Sequence, residues 1–222
     1  MEPPILPTLD ERLDPRHCAL LIVDMQKDFA VEGFATHRAG RDIGPTRAIV
    51  PALQRLLGAA RESGVLVCHV GFWVLPGHAS DSGPWLAQRR RATFSGETVG
   101  LAGTEGAEFI DELMPRPGEH VVHKHRYSAF KGTDLDMVLR SRGILSAVVT
   151  GVSTNVCVES TLRDAFETGY YVALPRDATA SWDRSLYDAT LRTVEHRFGH
   201  VTDSAAVAGI WRAAIGRRAA AE

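Results

Sequence analysis

The sequence predicts an α/β fold: a three-layer sandwich in which a six-stranded, mostly parallel sheet lies between helices. Three observations carry the prediction. Short runs rich in Val, Ile and Leu recur with little alternation, as strands buried on both faces do. Amphipathic helical patterns lie between them, and no linker or break in composition divides the 222 residues. A right-handed crossover between parallel strands lays each such helix on a face of the sheet.

The first 17 residues, rich in Pro, Asp and Arg, form an N-terminal extension ahead of a single domain at 18–216. The strand runs are CALLIVDM (18–25), VLVCHV (65–70), HVVHK (120–124), ILSAVVTG (144–151) and YVALPRD (171–177), with a sixth short strand near His200 to Thr202. From Ile43 to Ser63, Ile49, Leu53, Leu56, Leu57 and Ala60 share one helical stripe, and Gly64 follows as a cap. Residues 71–104, with several Gly and Pro and weak periodicity, read as an excursion over the sheet. Further helices are predicted at about 105–114 and 133–142. The helix from about Asn155 to Thr168 should bury Val158, Leu162, Ala165 and Phe166 and stop at Gly169. The last two fall at about 184–197 and 203–215.

Composition limits the function classes. With 45% hydrophobic and 23% charged residues, the chain suits one domain with a sizeable core. A net charge of -2 supplies no polycation for nucleic acid and no basic arm for a membrane surface, so the expected partner is a small molecule. No apolar run reaches about 18 residues, and the first 18 lack the regions of a signal peptide, so a cytoplasmic location is expected. The three cysteines, Cys18, Cys68 and Cys157, are an odd count at wide spacing and read as free thiols.

In such folds ligands bind beyond the carboxyl ends of the strands, near the point where strand order reverses. Three polar residues are predicted there. Asp24 closes the first run, Lys124 closes the third, and Cys157 opens the helix after the fourth. A helix start favours a thiolate, so an ionised sulfur is expected at Cys157, whereas Cys18 and Cys68 lie inside apolar strands and read as packing residues. Taken singly, Asp24 could cap a loop, Lys124 could reach to solvent, and Cys157 could be structural. Together they suit a nucleophile, its proton acceptor and a cation that tunes both.

The segments ALLIVDMQKDF, KHRYSAFKGTDLDMVLRSRGI, TGVSTNVCVESTLRDAFETGY and RDATAS, in that order between about residues 18 and 203, resemble the isochorismatase-like cysteine hydrolase superfamily. The likeness is nearest to its ureidoacrylate amidohydrolase and biuret hydrolase branch. It implies a six-stranded parallel sheet, with Cys157 as nucleophile, Asp24 as general base and Lys124 as the orienting cation. It also implies a cis peptide between Val152 and Ser153, an oxyanion site made by the N–H groups of Ser153 and Cys157, and a homo-oligomer, a dimer or tetramer. The activity implied is hydrolysis of a C–N bond in a small linear amide or ureido compound, ureidoacrylate-, biuret- or N-carbamoyl-like, through a thioester, with water as the second reactant. The alternatives are a hydrolase of this fold for a larger or more apolar amide, and a catalytically silent binding protein.

Metal-dependent nicotinamidases of this superfamily carry an Asp-x-His pair and a further histidine. The comparable stretch HVGFWVLPGHAS has no Asp-x-His, and His69 and His78 alone are too few for a typical site, so neither metal nor other cofactor is expected. Phe29, Phe34, Trp73, Tyr127 and Phe130 are the candidate substrate-binding walls, with Phe72 and Val74 in the loop where specificity should reside. Arg89, Arg90 and Arg91 could receive a substrate carboxylate, although a run of arginines more often forms a solvated face. Thr154 and Asn155 are placed to shape the loop beside the thiol.

Overall fold

The computed structural model describes residues 5–91 and 98–219. Its sheet contains β1 (Cys18–Val23), β2 (Leu66–Phe72), β3 (His120–Lys124), β4 (Ser146–Val152), β5 (Tyr171–Pro175), β6 (Thr179–Ala180) and β7 (His200–Thr202). The order is β3-β2-β1-β4-β5-β7 and every pairing is parallel, with the two-residue β6 lying beside β4 off this path. The six predicted runs are the six strands of the main path.

All six residues of β1 are buried, as a central strand covered on both faces requires. Successive side chains feed opposite layers. Leu20 and Ile22 pack with Leu53, Leu56 and Trp211, from the helices Val50–Ser63 and Ser204–Ala219. Ala19, Leu21 and Val23 pack with Leu139 and Leu162, from the helices Leu135–Ser141 and Glu159–Glu167 on the other face.

The chain leaves β1 for β2 and β3, then returns to β4 on the opposite side of β1. Strand order therefore reverses between β1 and β4, and this places a crevice beyond their carboxyl ends. Close approach of the two strands there demands glycine. Gly151 has φ +98°, and a Cβ on it would stand 2.0 Å from the Val23 carbonyl oxygen.

Several elements differ from expectation. No α-helix forms over 105–114, where two short 3₁₀ turns, Glu105–Ala107 and Asp111–Leu113, stand instead. Tertiary hydrogen bonds have claimed that backbone: Lys27 N–H donates to Glu108 O, Ile110 N–H donates to Met25 O, and Phe109 bridges Gln26. The Ile43–Ser63 pattern breaks at Ile49 into Gly44–Ala48 and Val50–Ser63, because Pro51 lacks the N–H that a continuous helix needs. The helix predicted from Asn155 opens as a π turn, Thr154–Val158, before the regular Glu159–Glu167 segment. Phe166 is exposed rather than buried, and it meets the Phe198 ring edge-on. The extension is docked through Leu13, which is buried, and through Leu6 N–H on the Tyr171 hydroxyl. The excursion contains a helix, Gly83–Arg91.

One polar cluster fixes the strand that carries Lys124. Glu119, just ahead of β3, receives Arg61 Nε and Nη2 at 2.7 and 2.9 Å, the Arg116 N–H at 2.8 Å and Nε2 of buried His69 at 2.9 Å. Burial opposes its charge, but these donors prevail and hold the carboxyl down at about 2. A carboxyl depressed by folding stabilises the fold above its ordinary value of 4.5, and that contribution is lost as pH falls from there through about 2. Glu119→Gln should therefore cost about 1–2 kcal/mol at pH 7, allowing for solvent screening. The deficit should close near pH 2 to 3 in urea unfolding. An equal deficit at both pH values would assign the effect to shape instead of charge.

Candidate active site

Three segments far apart in sequence converge at the switch point. Asp24 follows β1 directly and takes up φ 54°, a left-handed conformation that an aspartate tolerates better than most residues. Lys124 ends β3, and its four-carbon stem crosses the end of β2 to bring Nζ to 2.9 Å from Asp24 Oδ2. Both side chains are buried, and the Phe72 ring covers the ammonium with its centroid 4.9 Å from Nζ. Cys157 lies in the opening turn of the helix after β4, 8% exposed. Asp24 Oδ1 is buried without a hydrogen-bond partner among the described residues.

The three groups set one another's protonation. Burial drives the Asp24 carboxyl upward, more strongly than Lys124, the Cys157 thiol and the Phe72 N–H draw it down. Burial works against the Lys124 charge too, yet the Asp24 carboxylate and the nearby sulfur outweigh it and raise the ammonium. The Cys157 thiol is pushed up, first by burial and then by the negative charge of Asp24, with Lys124 opposing. Burial and the Asp24 charge thus act against the ionised sulfur expected from the helix start. A thiol beside a basic carboxylate and an ammonium has the parts that a nucleophile and its proton acceptor require.

The turn carrying Cys157 is fastened to β6. Asn155 Oδ1 accepts from Ser153 Oγ at 2.9 Å and from Ser181 Oγ at 2.6 Å. Thr154 Oγ1 pairs with Thr179 Oγ1 at 2.8 Å, and Thr179 Oγ1 donates to Gly151 O at 2.9 Å. The Val152–Ser153 peptide is cis. At a helix start the leading N–H groups lack intrahelical acceptors, so this turn can offer donors to an anionic oxygen.

Asp24 and Cys157 open onto a cavity of about 710 Å³. Of the expected wall residues, Phe29 and Tyr127 line it. Phe34 lines a separate hollow with Lys27 and Arg47, Trp73 stacks on His123 at 3.6 Å, and Phe130 packs against Tyr170. Strand alternation explains the absence of Trp73: Phe72 lines the cavity, and its consecutive neighbour faces away.

Phe72, Trp85, Val99 and Trp182 add to the apolar wall. Trp85 stands between Phe72 at 6.4 Å and Tyr127 at 4.6 Å, with the Arg126 guanidinium 5.1 Å from its ring centroid. Its helix, Gly83–Arg91, buries no residue fully, so its apolar pattern is faint. Pro84 in the first turn is the signal that could have marked it. Arg89 reaches the cavity wall while bound to Asp81 at 2.7 Å, whereas Arg90 and Arg91 are exposed. His69 and His78 are engaged separately, by Glu119 and Asp81, and among the described residues no group of three or more His, Cys, Asp or Glu could hold a metal ion. Among the described residues no helix is long and apolar enough to cross a membrane.

An acid, an ammonium and a thiol gathered at the switch point of a parallel sheet, above a mostly apolar cavity, define an α/β enzyme that works on small molecules. Residues 18–206 match the Isochorismatase domain family, and the chain belongs to it. It is 37% identical over 214 residues to the ureidoacrylate amidohydrolase of Methylobacterium radiotolerans, covering 91% of this chain and 83% of that protein. Among solved structures it superposes on a cysteine hydrolase of Pseudomonas syringae with TM-score 0.80 and 28% identity, covering 96% of this chain and 100% of that one. An N-carbamoylsarcosine amidase of Thermoplasma acidophilum matches with TM-score 0.67 and 30% identity, over 85% of this chain and 96% of that one.

Proposed function

We propose that this chain is a cysteine-dependent amidohydrolase whose substrate is a small amide or ureido compound, cleaved through a thioester on Cys157. It is a hydrolase acting on carbon–nitrogen bonds other than peptide bonds, as its likeness to an amidohydrolase and an amidase indicates. The observation that carries the cysteine mechanism is that Asp24 and Cys157, both buried, meet at one cavity with Lys124 buried behind them on Asp24, whose carboxyl is shifted toward stronger basicity.

Asp24 takes the thiol proton as sulfur attacks the carbonyl carbon. The C–S bond forms, and the carbonyl π electrons move to oxygen, which the N–H groups of Ser153 and Cys157 receive. Asp24 then gives its proton to the departing nitrogen and the C–N bond breaks. The products of this half are a thioester and ammonia or an amine. Water attacks the thioester, Asp24 takes its proton, the C–S bond breaks, and the proton returns to sulfur. One carboxylate serves as acid and base in turn, and the Lys124 charge keeps it ionised at the start of each half.

The cavity favours a second reading of the substrate. About 710 Å³ walled by Phe72, Trp85 and Trp182 suits a ligand nearer drug size than biuret, so an amide with an apolar substituent fits better than a bare linear ureide. An ammonia-release screen over biuret, ureidoacrylate, N-carbamoyl amino acids, nicotinamide and aryl amides tests both readings. Trp85→Ala should lower kcat/KM for aryl substrates by about 10- to 100-fold, and for biuret far less. An equal loss on both would remove the aromatic wall from specificity. Wild-type enzyme that cleaves no amide or ureide faster than Cys157→Ala does would overturn the proposed reaction.

A further inference from the structure

Two residues beyond Asp24, Gln26 is wholly buried, and the reaction sequence above makes no use of it. Both polar atoms of its side chain are engaged. Oε1 accepts the Phe72 N–H at 2.8 Å, while Nε2 donates to the Phe72 carbonyl at 3.1 Å and to the Ala107 carbonyl at 2.7 Å. One amide thus takes both backbone groups of a single residue, the last of β2. Gly71 leaves room for it, since a Cβ there would stand 3.4 Å from Nε2 and 3.3 Å from the Phe109 ring.

Phe72 is the residue through which this clamp reaches the chemistry. Its ring lies over Lys124 Nζ, the ammonium paired with Asp24 Oδ2, and it lines the cavity. We infer that Gln26 is a positioning residue, clamping the end of β2 so that the Phe72 ring stays as a dry cover over the Lys124–Asp24 pair. The inference rests on the proposed role of Asp24 as acceptor of the Cys157 proton.

A loosened cover admits water. Burial is the chief influence holding the Asp24 carboxyl up, so hydration lowers it. The charged group acting on Asp24 is Lys124 from β3, and the titratable thiol beside it is Cys157 from the helical turn; neither is altered by replacing Gln26. Arg41, Asp42, Arg89 and Asp183 stand elsewhere on the cavity wall and are likewise untouched. A clamp that merely joined segments would change how much of the chain is folded, but not the pH at which Asp24 ionises.

The test is alkylation of the full-length chain by iodoacetamide between pH 4 and 9, read at the Cys157 peptide by mass spectrometry. Wild-type alkylation should rise with pH along an acid limb set by Asp24. Gln26→Met should move that limb about one unit lower, Phe72→Ala should move it in the same direction, and the double variant should go no further than Phe72→Ala. If Gln26→Met does not fold, Gln26→Asn, whose amide is one methylene too short, is read the same way. An unmoved limb in the Gln26 variant with a lowered thermal midpoint would reduce Gln26 to a structural tie. Shifts that add in the double variant, or a Phe72→Ala limb that stays in place, would also overturn the inference. A wild type with no acid limb would instead remove Asp24 as the proton acceptor, the reading beneath it.

Discussion

Cys157→Ala should lower kcat/KM by about 10⁴-fold or more while leaving the fold in place. Of the three clustered groups, only the thiol can form the covalent bond that the proposed mechanism needs: Asp24 serves there as proton acceptor, and Lys124 is an ammonium without a free lone pair. What remains is whatever Asp24 achieves by activating water directly, and removal of a nucleophile elsewhere has cost on the order of 10⁶ in kcat. The stability cost should stay under about 1 kcal/mol, because the sulfur borders an open cavity and its loss leaves no sealed void. Loss of the thiol also removes a neighbour of the Asp24–Lys124 pair without breaking the 2.9 Å contact between them. Steady-state kinetics with thermal unfolding separates the two effects. Retention of more than about a hundredth of wild-type turnover would rule out a thioester on this residue.

Legibility in the sequence followed burial. The strands could be read because a central parallel strand must be apolar on both faces, and CALLIV is wholly buried. Asp24, Lys124 and Cys157 could be located because the ends of such runs are where polar residues meet a ligand, and the fold brings Asp24 and Cys157 to one cavity with Lys124 paired to Asp24. The protonation of Cys157 could not be read. A local helix start argues for a thiolate, whereas burial and a carboxylate from another strand, both tertiary facts, push the thiol up. The cavity wall was half legible for a similar reason. Phe29 and Tyr127 neighbour the catalytic strand ends, but the choice between Phe72 and Trp73 depends on strand phase, and Trp85 comes from a helix with almost no apolar stripe. The 105–114 segment looks helical by composition, yet its backbone is spent on Met25 and Lys27.

Lys124→Met should cost both activity and stability, and the stability loss should depend on pH in a direction that identifies its cause. The ammonium is wholly buried against Asp24, and no second cation is within hydrogen-bond distance of that carboxylate among the described residues. Methionine keeps much of the volume but leaves a buried acid with burial as the dominant influence, so the carboxyl rises further above its ordinary 3.8. A protonated Asp24 cannot take the thiol proton, and kcat/KM should fall by about 10³-fold near neutral pH, with a partial recovery as pH rises. An acid whose folded value is raised binds its proton more tightly when folded than unfolded, so the variant loses stability as pH climbs from about 3.8 toward the raised value. The deficit against wild type should therefore be small near pH 4 and reach about 3–5 kcal/mol above neutrality. Adding Asp24→Asn to Lys124→Met should recover most of that stability, since neither partner then carries charge, while restoring no activity. A Lys124→Met chain as stable at pH 8 as at pH 4, or one with near-wild-type kcat/KM, would mean that the buried ammonium does not govern the charge on Asp24.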